Sequence, residues 1–169
     1  LRGLKGGVIS AVDLVKGIGI LAGLKLIDVE GITGNFDTNF EGKANAAADE
    51  LINGLDFVYI HMEAPDECGH HGDYKNKIRS IELIDKIVIG TLIKRFKEAG
   101  QDFAMLICPD HPTPCALKTH TSNPIPYLLY SSLKNMGNGA ERYTEDQATK
   151  TGVYISEGYK LIEKLLEIK

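Results

Sequence analysis

The chain has 169 residues, of which 43% are hydrophobic and 25% are charged, and its formal net charge is −4 at pH 7. This length predicts one domain or a large part of one, and the acidic balance gives no electrostatic reason to expect nucleic acid or anionic lipid as a partner. No apolar run approaches the roughly 20 residues of a membrane span, and three cysteines do not form a disulfide scaffold, so we expect a cytoplasmic protein without a membrane partner.

The first third of the chain alternates strand-like and helix-like segments. A β-branched run at residues 6–12 predicts a buried strand, and Asp13 is the expected cap of a helix over residues 14–23. Residues 25–29 predict a second strand. Residues 30–43 are rich in Gly, Asn and Thr, which is typical of a long loop, and long ordered loops in compact domains are often functional.

The same alternation continues to the end of the chain. The long helix predicted at residues 74–99 has apolar residues at steps of three or four and is ended by Gly100. The other predicted elements are an Ala-rich helix at 43–51, strands at 56–61, 102–108 and 126–131, a polar loop at 134–150, and a helix at 156–168. This order predicts an α/β fold with a mostly parallel sheet and helices on both faces, where ligands bind at the carboxyl ends of strands.

All five histidines lie between His61 and His120, in two clusters that each follow a predicted strand. The first cluster reads H-M-E-A-P-D-E-C-G-H-H-G-D and the second reads C-P-D-H-P-T-P-C-A-L-K-T-H-T. Imidazole nitrogens and carboxylate oxygens bind Zn²⁺ or Mn²⁺, and two such ions can hold both sides of a phosphoryl group. The candidate metal ligands are Asp66, His70, Asp110, His111 and His120.

Each of these residues also has a simpler interpretation. A lone histidine is more often a packed or surface residue than a ligand, and residues 109–114 could form a plain turn. The concentration of such residues after successive strands favours metal binding. We expect His61 to be packed or to support a ligand, and His71 to point elsewhere. Cys108 and Cys115, which flank the Asp-His doublet, are the minor alternative as thiolate ligands.

Several other kinds of active site are not indicated by the sequence. It contains no G-x-x-x-x-G-K-[ST] phosphate loop, and Gly17, Gly19 and Gly23 do not have the spacing of a dinucleotide-binding turn. No serine lies in a G-x-S-x-G elbow. The sequence therefore shows candidate metal ligands but identifies no catalytic nucleophile.

Three stretches carry a resemblance to a known family: the first histidine cluster from His61, P-D-H-P-T-P from Pro109, and T-H-T-S-N-P-I-P from Thr119. Together they resemble the C-terminal metal-binding part of cofactor-independent phosphoglycerate mutases. The similarity is closest to the archaeal-type branch, within the alkaline phosphatase superfamily. The opening G-G-V-I-S-A-V-D-L-V-K-G-I-G and the loop G-I-T-G-N-F-D-T-N-F-E-G-K resemble the same branch, so the resemblance covers nearly the whole chain.

The resemblance implies a site for two divalent metal ions, with Mn²⁺ as the first expectation and Zn²⁺ or Mg²⁺ as alternatives. It implies that one ion is bound by Asp66, His70 and His120. It implies that the second is bound partly by Asp110 and His111.

The resemblance also implies which parts of the enzyme this chain represents. Residues 1–169 correspond to the C-terminal part of an incomplete alkaline-phosphatase-like domain. The segment with the nucleophilic Ser or Thr, and the inserted cap domain, have no counterpart here. Lys5 corresponds loosely to a lysine that contacts the substrate phosphate.

The activity that the resemblance implies is the interconversion of 3-phosphoglycerate and 2-phosphoglycerate through a metal-activated hydroxyl. We expect the 169-residue piece alone to be inactive and to self-associate through an exposed sheet edge or apolar face. The alternatives are a phosphatase, a phosphopentomutase-like or homoserine-kinase-like phosphotransferase, and a non-catalytic metal-binding domain.

Overall fold

A computed structural model describes residues 3–134, 136–137 and 140–168 and contains two compact units. The first unit runs to Gln101 and includes Thr113–Thr119, and the second comprises Asp102–Pro112 and the chain from His120 onward. The assignment of residues 1–169 to part of one phosphatase-like domain stays a prediction. Among the described residues, no helix has both the length and the apolarity to cross a membrane.

A three-stranded parallel sheet forms the centre of the first unit. Strand β1 (Gly6–Ile9) lies between β2 (Lys25–Leu26) and β3 (Phe57–Ile60), and all four β1 residues are buried. β1 ends before the predicted residue 12 because the Ser10 hydroxyl accepts a hydrogen bond from the Val12 amide at 3.0 Å, which turns the chain. The expected parallel sheet flanked by helices is thereby confirmed.

Helix α1 (Asp13–Leu21) follows β1, and the predicted capping role of Asp13 is wrong. The N-cap residue is Val12, which has no side-chain cap; Asp13 lies in the first turn and pairs with Lys16 at 3.2 Å. Gly19 faces the sheet, where an added Cβ would lie 2.6 Å from a Val8 methyl group. The glycine that weakens this helix by propensity therefore permits its close packing on β1.

Helix α2 (Phe40–Ile52) begins within the predicted loop because the Asn39 side chain caps it, accepting from the Gly42 amide at 2.8 Å. Its inner face buries Ala44, Ala47 and Ala48. These small side chains allow helices to approach closely, and α2 packs against the last part of the long helical region at residues 74–99.

That long region is not one uniform α-helix, as the sequence predicted. It consists of α4 (Tyr74–Leu83), a π-helical segment (Ile84–Ile89) and α5 (Gly90–Ala99). A π-helical turn holds extra residues and so shifts the buried face. Gly100, with a φ of +63°, ends the region as expected.

Along the predicted apolar stripe, burial begins within the π-helical segment, which contains Val88. Val88, Leu92 and Phe96 are buried, whereas Ile78 and Ile81 are 55% and 48% exposed. Only the second half of the stripe therefore belongs to the core of this unit.

The second unit contains a two-stranded antiparallel sheet of β4 (Ala104–Ile107) and β5 (Leu128–Ser131). The strand predicted at 126–131 is present, and it pairs antiparallel with β4 in a sheet otherwise predicted to be mostly parallel. The C-terminal helix α7 (Leu161–Glu167) packs on β4 after a short 3₁₀ turn at Gly158–Lys160. The sequence predicted the positions of β4 and β5 in the chain. It did not predict that they pair with each other, because the pairing joins residues far apart in sequence.

Helix α6 (Glu145–Lys150) occupies the end of the predicted polar loop at 134–150. The Thr144 side chain caps it by accepting from the Gln147 amide at 3.2 Å. Positions 135, 138 and 139 of the predicted loop lie outside the described residues.

Candidate metal centre

Helix α3 (Ala64–His71) carries the first candidate ligands and directly follows the carboxyl end of β3. Pro65 lies in its first turn and Gly72, with a φ of +71°, ends it. Asp66 and His70 are four residues apart, so the helix presents them on one face. Sequence reasoning missed this helix, although a proline in the first turn and a glycine at the end were available signals.

Within α3, the side chains of Asp66 and His70 meet. The Nε2 atom of His70 lies 3.3 Å from Oδ2 of Asp66. On the other side of the ring, Nδ1 of His70 is 3.1 Å from the Lys118 carbonyl oxygen. A carbonyl can only accept, so Nδ1–H donates, and this orientation directs Nε2, the nitrogen that would bind a metal ion, toward the carboxylate.

The second oxygen of Asp66 is held by a buried threonine. Thr113 is 4% exposed, and its hydroxyl donates to Oδ1 of Asp66. An oriented imidazole nitrogen and an anchored carboxylate oxygen are a donor set that fits a divalent transition-metal ion, whose histidine ligands usually donate their other N–H to a carbonyl or carboxylate. The chemistry of this pair therefore agrees with a metal site.

The other three candidates belong to the second unit, after β4. Asp110 and His111 pair through Oδ2 and Nε2 at 3.1 Å, and Oδ1 of Asp110 accepts from the His111 amide at 3.0 Å. The ring of His111 stacks on that of His120 with centroids 3.6 Å apart. Two imidazoles and a carboxylate thus lie together at the end of this strand.

The structure therefore brings Asp66 together with His70, and Asp110 together with His111 and His120. The prediction that His120 joins Asp66 and His70 on one ion links the two units and stays a prediction. Cys108 is exposed and Cys115 is half-buried, and thiolate ligation stays the minor alternative.

Lys5 lies at the opposite edge of the parallel sheet from the candidate ligands on α3. It precedes β1, and its amide donates to the Asp56 carboxylate, which precedes the parallel strand β3, at 2.7 Å. This is the amino edge of the sheet, whereas Asp66 and His70 follow the carboxyl end of β3. A contact of the Lys5 side chain with the substrate phosphate stays a prediction of the resemblance.

A different lysine lies at the carboxyl edge. Lys43 of α2 is 1% exposed, and its ammonium donates to the His61 carbonyl at 3.0 Å. Burial lowers the pKa of Lys43, and the nearby Glu63 carboxylate opposes that shift. The same turn is tied to β1, since Nδ1 of His61 is 3.0 Å from the Ser10 hydroxyl.

The sequence did not predict the burial of Lys43 or its contact with the His61 carbonyl, because a lysine is ordinarily exposed. Its spacing from Ala44, Ala47 and Ala48 places it on the buried face of α2, and this spacing is the signal that could have identified it. The polar contacts of Lys43 and His61 fix the turn between β3 and α3.

Replacing Lys43 with Met is expected to lower the free energy of unfolding by about 1–3 kcal/mol, because the His61 carbonyl loses a buried donor. Lys25→Met is the matched control. The Lys25 ammonium pairs with Glu50 at 2.6 Å but its side chain is 55% exposed, so we expect a cost below about 1 kcal/mol. Urea unfolding monitored by circular dichroism measures both values; equal costs would contradict a structural role for the buried contact.

His71 forms a separate local contact, as expected. Its Nδ1–H donates to the Glu67 carbonyl within α3 at 2.8 Å. Its ring lines a small cavity together with Asn35, Phe36 and Asp73.

A family model for the metalloenzyme superfamily matches residues 1–153. The chain is 46% identical over 165 residues to a probable 2,3-bisphosphoglycerate-independent phosphoglycerate mutase of Geobacter sulfurreducens, covering 98% of this chain and 41% of the relative. It is 44% identical over 166 residues to the 2,3-bisphosphoglycerate-independent phosphoglycerate mutase of Methanothrix thermoacetophila, covering 98% of this chain and 42% of that protein. The chain thus spans about two fifths of the length of these relatives.

A solved structure of a protein from Pyrococcus horikoshii is similar to the chain with a TM-score of 0.87 and 28% sequence identity. The similarity covers 98% of this chain and 48% of that protein. Together with the family match, it confirms the expected α/β fold of the alkaline phosphatase type, present in part.

Proposed function

The chain belongs to the metalloenzyme superfamily, and from this we propose that it is the metal-binding part of an enzyme that interconverts 3-phosphoglycerate and 2-phosphoglycerate. The observation that carries the proposal is the oriented pair of Asp66 and His70, with a nitrogen–oxygen distance of 3.3 Å, in a chain similar to phosphoglycerate mutases over nearly its whole length. The reaction would serve glycolysis and gluconeogenesis in the cytoplasm.

We propose two divalent ions as cofactors, with Mn²⁺ as the first choice and Zn²⁺ or Mg²⁺ as alternatives. Asp66 and His70, with His120, would hold one ion, and Asp110 and His111 would contribute to the second. Bound divalent ions neutralise phosphoryl oxygens and lower the pKa of a hydroxyl or water.

The residues of this chain would orient the metal ligands. Thr113 and the Lys118 carbonyl hold Asp66 and His70 in fixed orientations. Asp110, whose side chain is 72% exposed, is accessible at the end of β4. No serine or threonine of the chain is assigned as the nucleophile, which by the resemblance would come from a segment outside these residues.

The proposed function is tested with the full protein that the gene encodes, in an assay that couples formation of 2-phosphoglycerate to enolase. We expect turnover of 3-phosphoglycerate that EDTA abolishes and Mn²⁺ restores, because the ligands bind divalent ions. Failure of Mn²⁺, Zn²⁺ and Mg²⁺ alike to restore turnover, or turnover of a phosphopentose in place of phosphoglycerate, would overturn the proposal.

The 169-residue chain alone is expected to be inactive in that assay, because the covalent step needs a nucleophile.

We also propose that the 169-residue chain self-associates. The outer face of α1 exposes Leu14, Ile18 and Leu21 at 72%, 58% and 91%, and apolar surface of this kind favours association. A strictly monomeric chain in light scattering would contradict self-association, and metal-dependent turnover by the chain alone would contradict the absence of a nucleophile.

A further inference from the structure

We infer that Thr113 is a positioning residue for the metal ligand Asp66, and that the segment Thr113–Thr119 orients both ligands carried by α3. This inference rests on the proposed metal site. It assigns a role to residues that would touch neither the metal nor the substrate.

Thr113 approaches α3 with both its side chain and its main chain. The hydroxyl donates to Oδ1 of Asp66, which leaves Oδ2 as the oxygen beside Nε2 of His70. Thr113 is 4% exposed, and the β-branched side chain has few rotamers, so the direction of the hydroxyl is fixed at low entropic cost. Loss of this donor would free the carboxylate to rotate.

The main chain of Thr113 is itself held in place from two sides. The Lys77 ammonium of α4 donates to the Thr113 carbonyl at 2.7 Å. On α3, a Cβ added at Gly69 would lie 2.4 Å from the same carbonyl oxygen. The glycine therefore permits α3 to approach Thr113 closely, one turn after Asp66.

The other end of the segment orients His70. The Lys118 carbonyl accepts from Nδ1 of His70 at 3.1 Å. Lys118 has a φ of +54° and is the only non-glycine residue with positive φ among the described residues. Left-handed backbone at a lysine is unfavourable, and such strain persists where surrounding contacts enforce it. One segment thus supplies the hydrogen-bond partner of each ligand.

The test measures Mn²⁺ binding to the 169-residue chain by isothermal titration calorimetry. Thr113→Val keeps the shape of the side chain but removes the hydroxyl, and we expect affinity to fall roughly 10- to 100-fold, as for other residues that orient metal ligands. Thr113→Ser keeps the hydroxyl and is expected to restore affinity to within a few-fold of the original.

Thermal melts without metal separate positioning from a general structural role. A purely structural role would lower the melting temperature of Thr113→Val while leaving its Mn²⁺ affinity unchanged, and that result would overturn the inference. If Thr113→Val does not fold, Lys77→Met tests the positioning role of Thr113 instead. This variant keeps the Thr113 hydroxyl but removes the ammonium that donates to the Thr113 carbonyl. We expect a several-fold loss of affinity, and unchanged affinity would overturn the inference.

The failure of this inference is distinguishable from failure of the proposed function. If the original chain binds none of Mn²⁺, Zn²⁺ and Mg²⁺, the proposed metal site and the inference fall together. If the original chain and Thr113→Val bind Mn²⁺ equally, the metal site stands and only the role of Thr113 is wrong.

Discussion

Replacing Asp110 or His111 with alanine is expected to lower the proposed mutase activity of the full protein by roughly 100- to 1000-fold while leaving the fold intact. Removing a group that stabilises developing charge has effects of this order. The Asp110 side chain is 72% exposed at the end of β4, so its truncation removes little packing. The His111 side chain is 30% exposed, and its truncation removes its stacking on the His120 ring. Turnover is compared with circular dichroism and thermal melts of each variant.

Asp146→Ala is the matched control for this prediction. Asp146 also lies in the second unit, its side chain is also 72% exposed, and it pairs with Lys150 at 2.6 Å. Its removal is expected to leave turnover unchanged, because exposed ion pairs contribute little. Loss of folding together with activity in the Asp110 or His111 variants would instead indicate a structural role.

Replacing Asp66 with Asn is expected to lower the affinity of the 169-residue chain for Mn²⁺ by roughly 100-fold or more. Substituting residues that merely orient a metal ligand already costs about 10- to 100-fold, and here a charged ligand oxygen becomes a neutral amide of the same size. Calorimetry gives the affinity, and metal analysis after dialysis gives the bound amount.

Asp73→Asn is the control for that substitution. Asp73 caps α4 by accepting from the Asn76 amide at 3.1 Å, and asparagine caps helices as well as aspartate does. We expect this variant to keep both the fold and the metal affinity. Equal affinity of the Asp66 and Asp73 variants would remove Asp66 from the proposed site.

The sequence predicted the α/β architecture because its signals are local. The β-branched run of β1, the strand β3 and the glycine that ends α5 each depend on a few neighbouring residues. The candidate ligands were found for a related reason, since Asp66, His70, Asp110 and His111 follow strands whose positions the pattern indicates.

What the sequence did not reveal depends on contacts between distant segments. Antiparallel pairing of β4 with β5 joins Ala104 to Ser131, and periodicity carries no information on the direction of pairing. The bond from Thr113 to Asp66 spans 47 residues and the bond from Lys118 to His70 spans 48. The partners of the ligands therefore became visible only in the folded chain.

Lys5 and Lys43 show the same distinction. The resemblance pairs Lys5 with a phosphate-contacting lysine by its position in the chain, and Lys5 lies at the amino edge of the parallel sheet. The buried Lys43 donates to the His61 carbonyl at the carboxyl edge. The direction of the parallel strands sets which edge of the sheet each lysine occupies, and that arrangement follows from tertiary packing.

The most direct test of the metal centre is a crystal of the chain grown with Zn²⁺ and measured at the zinc absorption edge. We expect one anomalous peak from a zinc ion bound by Asp66, His70 and His120, with zinc–nitrogen bonds of about 2.0–2.1 Å. We expect a weaker second peak from an ion at Asp110 and His111. No peak at these residues, or His120 more than about 10 Å from His70 so that no single ion reaches both, would contradict the account.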